Sequence, residues 1–358
     1  MNLLDRHVRI AVLLSIAIVL GIIVSLDLIF SLIDELGESG VDYTVGNALL
    51  YVALTTPTSI YELLPFAALG GTIFGLGVLA SNNELVVMQT AGVHKWRIVL
   101  AVLKPALLVM VLGLLLGEYA SPALEQVANS NKAIQLSGSS SINSETGTWH
   151  KIGNDFIHIN AIAPGGVQLY GVSRYTANDD RQLISASFTE SAQYIEDGDG
   201  AYWRMNNVRQ SRFFGSRIST TSYSQENWTA DLSPQLLSLL LVEPGNQSIS
   251  GLYRFARFFQ TEGLDSSIYF LAFWKKLLQP LSTLVLVVLA ISFVFGPLRE
   301  ATMGYRIFIA LGIGLAFTTI QRMMEPVSLI YGLSPLMAVL TPILLSACLG
   351  LLLMRRVS

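Results

Sequence analysis

Residues Ile10–Phe30 read IAVLLSIAIVLGIIVSLDLIF, twenty-one residues with one charge, Asp27. At 1.5 Å rise per residue, about 20 apolar residues cross a hydrocarbon core of about 30 Å. The run is too long for the apolar stretch of a signal peptide and lacks a small-residue cleavage site, so it predicts a retained membrane helix. Working outward, further apolar spans are read at Leu63–Ala80 and Ile98–Leu116, then from Ile268 to near Phe295, at Ile307–Ile320 and at Leu336–Leu353. Between the third and fourth lies a polar stretch of about 150 residues. That is too long for a loop and reads as a folded domain. The expected fold class is an α-helical integral membrane protein of six transmembrane helices with an inserted all-β domain. Residues 1–120 hold the first three spans, with a short cytoplasmic helix near 81–92. Residues 121–266 hold the β-domain and an interfacial helix, and 267–358 the last three spans.

Composition fits this layout. The chain is 52% hydrophobic and 13% charged, against about 25% charged in soluble domains. A net charge of -3 argues against a nucleic-acid partner. The one cysteine, Cys348, excludes a disulfide within the chain. Two glycosylation patterns, at Asn227 and Asn246, are short and common. Basic residues of short loops set orientation. Arg6, Arg9, Lys95, Arg97, Arg299, Arg306, Arg355 and Arg356 fall on one side, whereas 34–59 has no Lys or Arg and the other outer loop only Arg322. Both termini are therefore expected in the cytoplasm and the inserted domain outside.

Within that domain the period shortens. Trp149–Ile152, Phe156–Ile159, Val167–Tyr170, Ile184–Ile195, Tyr202–Val208 and Arg217–Tyr223 are strand-like, with Gly-, Asn- and Asp-rich turns between them. Many short strands predict a sandwich or jelly roll. Ser137–Ser144 reads as an entry loop. Farther on, Leu252, Phe255, Phe258 and Phe259 share a helical face over Gly251–Gln260, with Arg254 and Arg257 on another and Ser250 as N-cap. This predicts a helix either in the membrane interface or packed on the inserted domain.

No phosphate-binding loop of the G-x-x-x-x-G-K-[ST] type occurs, and nothing resembles a nucleophile elbow. His150 and His158 lack a cysteine partner and are separated by a turn, so no metal site and no catalytic residue is expected. Three charged places stand out. The first is Ser81–Gly92, a short helix in a loop that should be wet. Ser81 and Glu84 have capping-box spacing, while Leu85, Val86 and Met88 are apolar and point to docking on another protein. The second is Lys275 and Lys276, about 20 residues before Phe295 and so at the outer interface, as snorkelling anchors or as cations for an anionic head group. The third is Asp27, Glu62, Lys104 and Glu118, charges within or near spans, which in lipid usually face a bundle interior. Gly71-x-x-x-Gly75 has the spacing for close helix packing.

Three stretches together resemble the LptF/LptG family, permeases of the lipopolysaccharide-export ABC transporter: Leu79–Gly92, Phe273–Pro280 and Ser292–Arg299. Ser248–Leu252 also fits, and the resemblance spans nearly the whole chain in order. It implies that two permeases, here with LptF as the second, pair over a dimer of the ATPase LptB. It implies a periplasmic β-jellyroll joined to a bridge through LptC and LptA, and extraction of lipopolysaccharide from the outer leaflet of the bacterial inner membrane. It implies a coupling helix at Ser81–Ala91 with Glu84 in a groove of the ATPase, and Lys276 toward lipid phosphates. ATP and Mg would be held by the partner, with no cofactor in this chain. One departure is that Phe30–Glu38 lacks the lysines some relatives carry. An ATPase-independent envelope scaffold and an ion-coupled secondary transporter are the competing readings. The sequence lacks the inverted repeat that would favour the latter.

Overall fold

The computed structural model describes residues 3–37, 43–137, 148–152, 154–163, 166–178, 182–197, 200–214, 217–229, 234, 244–261, 265–296 and 301–357. The stretch 138–147, which holds most of the expected Ser/Gly-rich loop, lies outside them, as does 297–300. Among the described residues, six helices are long and apolar enough to cross a membrane. In order, α1 is Leu3–Gly37, α2 Val45–Ser81, α3 Glu84–Thr90 and α4 Lys95–Leu115. A π-helical turn, Leu116–Ala120, joins α4 to α5, Ser121–Ser137. After the strands come α6 (Ile249–Thr261), α7 (Ser267–Phe295), α8 (Met303–Tyr331) and α9 (Pro335–Val357).

Several helices outrun the apolar runs. Residues 45–59, expected in a loop, open α2, and 121–137, expected to begin the β-domain, are helix. Hydropathy marks where lipid contact ends, not where backbone hydrogen bonding ends. Pro57 and Pro65 lie inside α2; each removes a ladder hydrogen bond without ending the helix.

The chain forms two compact units: Met1–Ser31, Thr55–Pro122 and Pro244–Ser358 in one, Leu32–Leu54 and Ala123–Glu243 in the other. In the first, Val12 and Ile16 of α1 meet Leu69 and Ile73 of α2 in a core shared with Leu286 and Ile291 of α7. The glycine pair makes this approach possible. A Cβ on Gly71 would lie 2.4 Å from the Ile16 Cα, and one on Gly75 2.9 Å from the Ser15 hydroxyl.

In the second unit the inserted domain is an antiparallel sheet in the order β1-β2-β3-β4-β5-β6. The strands are β1 Thr148–Ile152, β2 Asp155–Ile162, β3 Gln168–Ala177, β4 Leu183–Asp197, β5 Gly200–Phe214 and β6 Arg217–Trp228. Inward residues normally recur every second position. Here the buried positions jump by three, from Ile159 to the partly buried Ile162, from Val172 to Leu169 and from Val208 to Met205. The jumps lie along one line across the sheet, where Gly171 (φ 60) and Asn207 (φ 54) take left-handed conformations. Register is kept across this line, but the strands turn over. Both halves therefore feed one core around Trp203, Met205, Ile157 and Leu169. Asn207 is held at the turnover by donating to Glu190, 2.6 Å away. Also in this unit, the buried Glu35 takes Lys132 at 2.9 Å and the hydroxyl of Tyr43.

Candidate functional site

The α2–α3 corner is built by Asn83, whose left-handed backbone (φ 61) breaks the helix. Ser81 is the last residue of α2 and donates back to the Val78 carbonyl at 2.9 Å. The expected Ser81–Glu84 capping box does not form, because Glu84 is the first residue of α3 rather than its third. The carboxylate is held instead by α1. His7 Nε2 lies 2.7 Å from Glu84 Oε2, the imidazole N–H donating. Two residues away, Asp5 accepts two hydrogen bonds from the Arg97 guanidinium, at 3.0 and 3.2 Å. The start of α1 thus holds both α3 and the first turn of α4.

Leu85 and Met88, expected to meet a partner, are buried in the chain's own core at 4% and 5% exposure. Spaced three apart, they share one helical face, and that face fastens α3 to the membrane unit. Val86 lies on the opposite side and is exposed, and beside it stands Val87 at 63% exposure. Val87 was missed. The period that puts Leu85 and Met88 together would have found it.

At the other end of the first unit, the two lysines part company. Consecutive helical residues point about 100° apart, so they cannot face one environment. Lys275 is exposed and paired with Glu325 of α8. Lys276 is buried, donates to the Gln247 carbonyl at 2.6 Å and stands 5.8 Å from the centre of the Tyr61 ring. Its expected role as a cation presented to lipid phosphates does not fit this placement.

Around Lys276 lies a polar junction that sequence reading did not assemble. The π-helical turn carries Glu118 to the N-terminus of α6, where its carboxylate accepts from the Ile249 N–H (2.7 Å), the Ser250 N–H (3.4 Å) and the Ser250 hydroxyl (2.6 Å). An acidic group there satisfies orphan N–H donors and favours the helix dipole. The N-cap is Ser248 rather than the expected Ser250; its hydroxyl accepts from the Gly251 N–H at 3.1 Å. Gly117 lets the Tyr61 ring lie against the turn, where a Cβ would be 2.7 Å from it. Gln279 of α7 donates to the Tyr61 carbonyl at 2.8 Å. Of the other charges singled out, Glu62 and Lys104 are exposed, and one oxygen of Asp27 is buried without a hydrogen-bond partner among the described residues.

The model of the family described as lipopolysaccharide export system permease LptF/LptG matches residues 6–356. The lipopolysaccharide export system permease protein LptG of Escherichia coli (strain K12) is 33% identical over 343 residues, 95% of this chain and 94% of that protein. Its namesake in Haemophilus influenzae (strain ATCC 51907 / DSM 11121 / KW20 / Rd) is 34% identical over 345 residues, 96% of each. With six helices long and apolar enough to cross a membrane among the described residues and an inserted β-domain already in place, the chain belongs to the LptF/LptG family, as a multi-pass inner-membrane permease subunit of lipopolysaccharide export.

Proposed function

We propose that this chain is half of an ABC-type permease that draws lipopolysaccharide from the outer leaflet and passes it to a periplasmic bridge. The chain supplies no catalytic residue; ATP and Mg bind the partner ATPase, an LptB dimer. The second permease half is LptF, and LptC with LptA continue the path beyond the inserted domain. Both termini lie in the cytoplasm, in keeping with Arg6, Arg9, Arg97 and Arg355 at one end of the spans, and the β-domain lies in the periplasm.

The observation that carries this reading is the two-sided α3. Its inner face, Leu85 and Met88, is fixed in the membrane core, and its outer face, Val86 and Val87, is free for a partner. A helix held in this way transmits a push from a docked ATPase into α1, α2 and α4. Glu84 sits at its leading end as the charged contact. On the outward side, Lys275 is the lysine open to a phosphate once it leaves Glu325.

The test is purification in mild detergent from native membranes, with mass spectrometry of co-purifying proteins and lipids. An ATPase, a second permease and lipopolysaccharide should appear together. Val86→Asp should lose the ATPase about tenfold or more while the chain still inserts, because a carboxylate buried unpaired at an interface is costly. Full ATPase retention by that variant would remove α3 as the docking element.

A further inference from the structure

The helix α6 carries a surface that the export reading does not use. Its inner face is closed: Leu252 and Ala256 are fully buried, and Phe255 and Phe259 pack with Tyr269 of α7. Its open face presents Tyr253, Arg254, Arg257 and Phe258, all exposed. The two arginines stand three residues apart, so they are neighbours on the helix and repel each other. Among the described residues neither has a carboxylate partner; Arg257 donates only to the Gln260 side chain at 3.3 Å. Depth is set by the neighbours. Tyr253 packs on Phe273, and Phe273 on Trp274, the aromatic belt at which a span meets head groups. Orientation is set by the cap, since Glu118 and Ser248 fix the first turn of α6.

We propose that the Arg254–Arg257 face of α6 binds the phosphate head groups of anionic phospholipids in the surrounding outer leaflet. Two guanidinium forks at adjacent helical positions clamp phosphodiester oxygens. Tyr253 and Phe258 on either side take the glycerol and upper acyl region. The bound lipid removes the repulsion between the arginines and holds α6 at a fixed depth. This rests on the reading that α6 lies on the outward side.

The test uses the complete transporter in nanodiscs of phosphatidylcholine with about one-third phosphatidylglycerol, an order-of-magnitude anionic content at which basic residues near the surface are attracted measurably. Bound lipids are counted by native mass spectrometry. Wild type should retain phosphatidylglycerol over phosphatidylcholine, and Arg254→Gln/Arg257→Gln should lower that preference roughly tenfold, with insertion and thermal stability in pure phosphatidylcholine unchanged. An unchanged preference, or lipid displaced by millimolar inorganic phosphate, would overturn the assignment. So would recovery of lipopolysaccharide in place of phosphatidylglycerol at this face. Sidedness is measured separately, by labelling Thr261→Cys in a Cys348→Ser background with an impermeant maleimide from the periplasm. No labelling there means the orientation failed, whatever the lipid count.

Discussion

Glu84 and Leu85 are adjacent, yet one is a polar contact at the surface and the other is core. Side-chain direction within a seven-residue helix decides this, and apolar character alone did not reveal it. The His7–Glu84 pair could not be read from sequence either, since 77 positions separate them. His7→Ala frees the carboxylate, and we expect it to weaken ATPase retention, whereas His7→Arg keeps a donor and restores it; equal retention by all three chains would separate His7 from docking. Glycine geometry was legible: the Gly71–Gly75 spacing predicted a close approach, and Gly71 meets the α1 backbone. Gly71→Ala should destabilise by about 1–3 kcal/mol through overpacking, while Gly312→Ala, inside a helix with nothing within 4 Å of the new Cβ, should cost nothing and stabilise by up to about 1 kcal/mol; thermal unfolding in detergent compares them. His158 is a titrating residue of the β-domain. Burial lowers its pKa below the ordinary value, and its Nε2 has no hydrogen-bond partner among the described residues. The folded state therefore favours the neutral ring. Below about pH 6.5 the unfolded chain binds the extra proton first, so stability falls as pH drops from there toward the lowered folded value. Melting curves at pH 7.5 and 5.5 should show a larger drop for wild type than for His158→Gln.

At the scale of elements, all six strand-like segments of the inserted domain fall on strands of the sheet, with only Val167 lying just ahead of its strand. Alternation and turn residues carry that information locally. The turnover at Gly171 and Asn207 was not legible, because a left-handed asparagine inside a strand leaves no periodic mark; it shows only in the three-residue jumps between buried positions. Helix ends were misjudged for a related reason. The α2 helix begins well before its apolar run, and beyond the apolar run of α4 the helical path continues through the π-helical turn into α5. Glu118 was flagged as a costly charge near a span, but its partner lies more than 130 residues away. Removing it by Glu118→Ala leaves the Ile249 and Ser250 N–H groups without their acceptor, at about 1–3 kcal/mol. Hydrogen exchange over the first turn of α6 should speed by roughly tenfold or more, with α9 unaffected. Unchanged exchange in that turn would show that Ser248 alone caps the helix.

For the whole molecule, the order of three spans, a polar insert and three spans was enough to read the fold class, because each piece is defined by length and period. The assembly was less accessible. A permease half exposes surfaces meant for other chains, and the exposed Val86 and Val87 become informative only once Leu85 and Met88 are known to face inward. The scaffold and ion-coupled readings differ from the export reading in one observable, whether nucleotide hydrolysis in a bound partner moves lipid. The most direct measurement is therefore ATP-dependent release of lipopolysaccharide from proteoliposomes holding the complete purified transporter, with an acceptor protein outside. The account predicts release that requires ATP, persists without an ion gradient, and falls about tenfold or more in Val86→Asp. Release that ignores ATP, or follows a proton or sodium gradient instead, would contradict it.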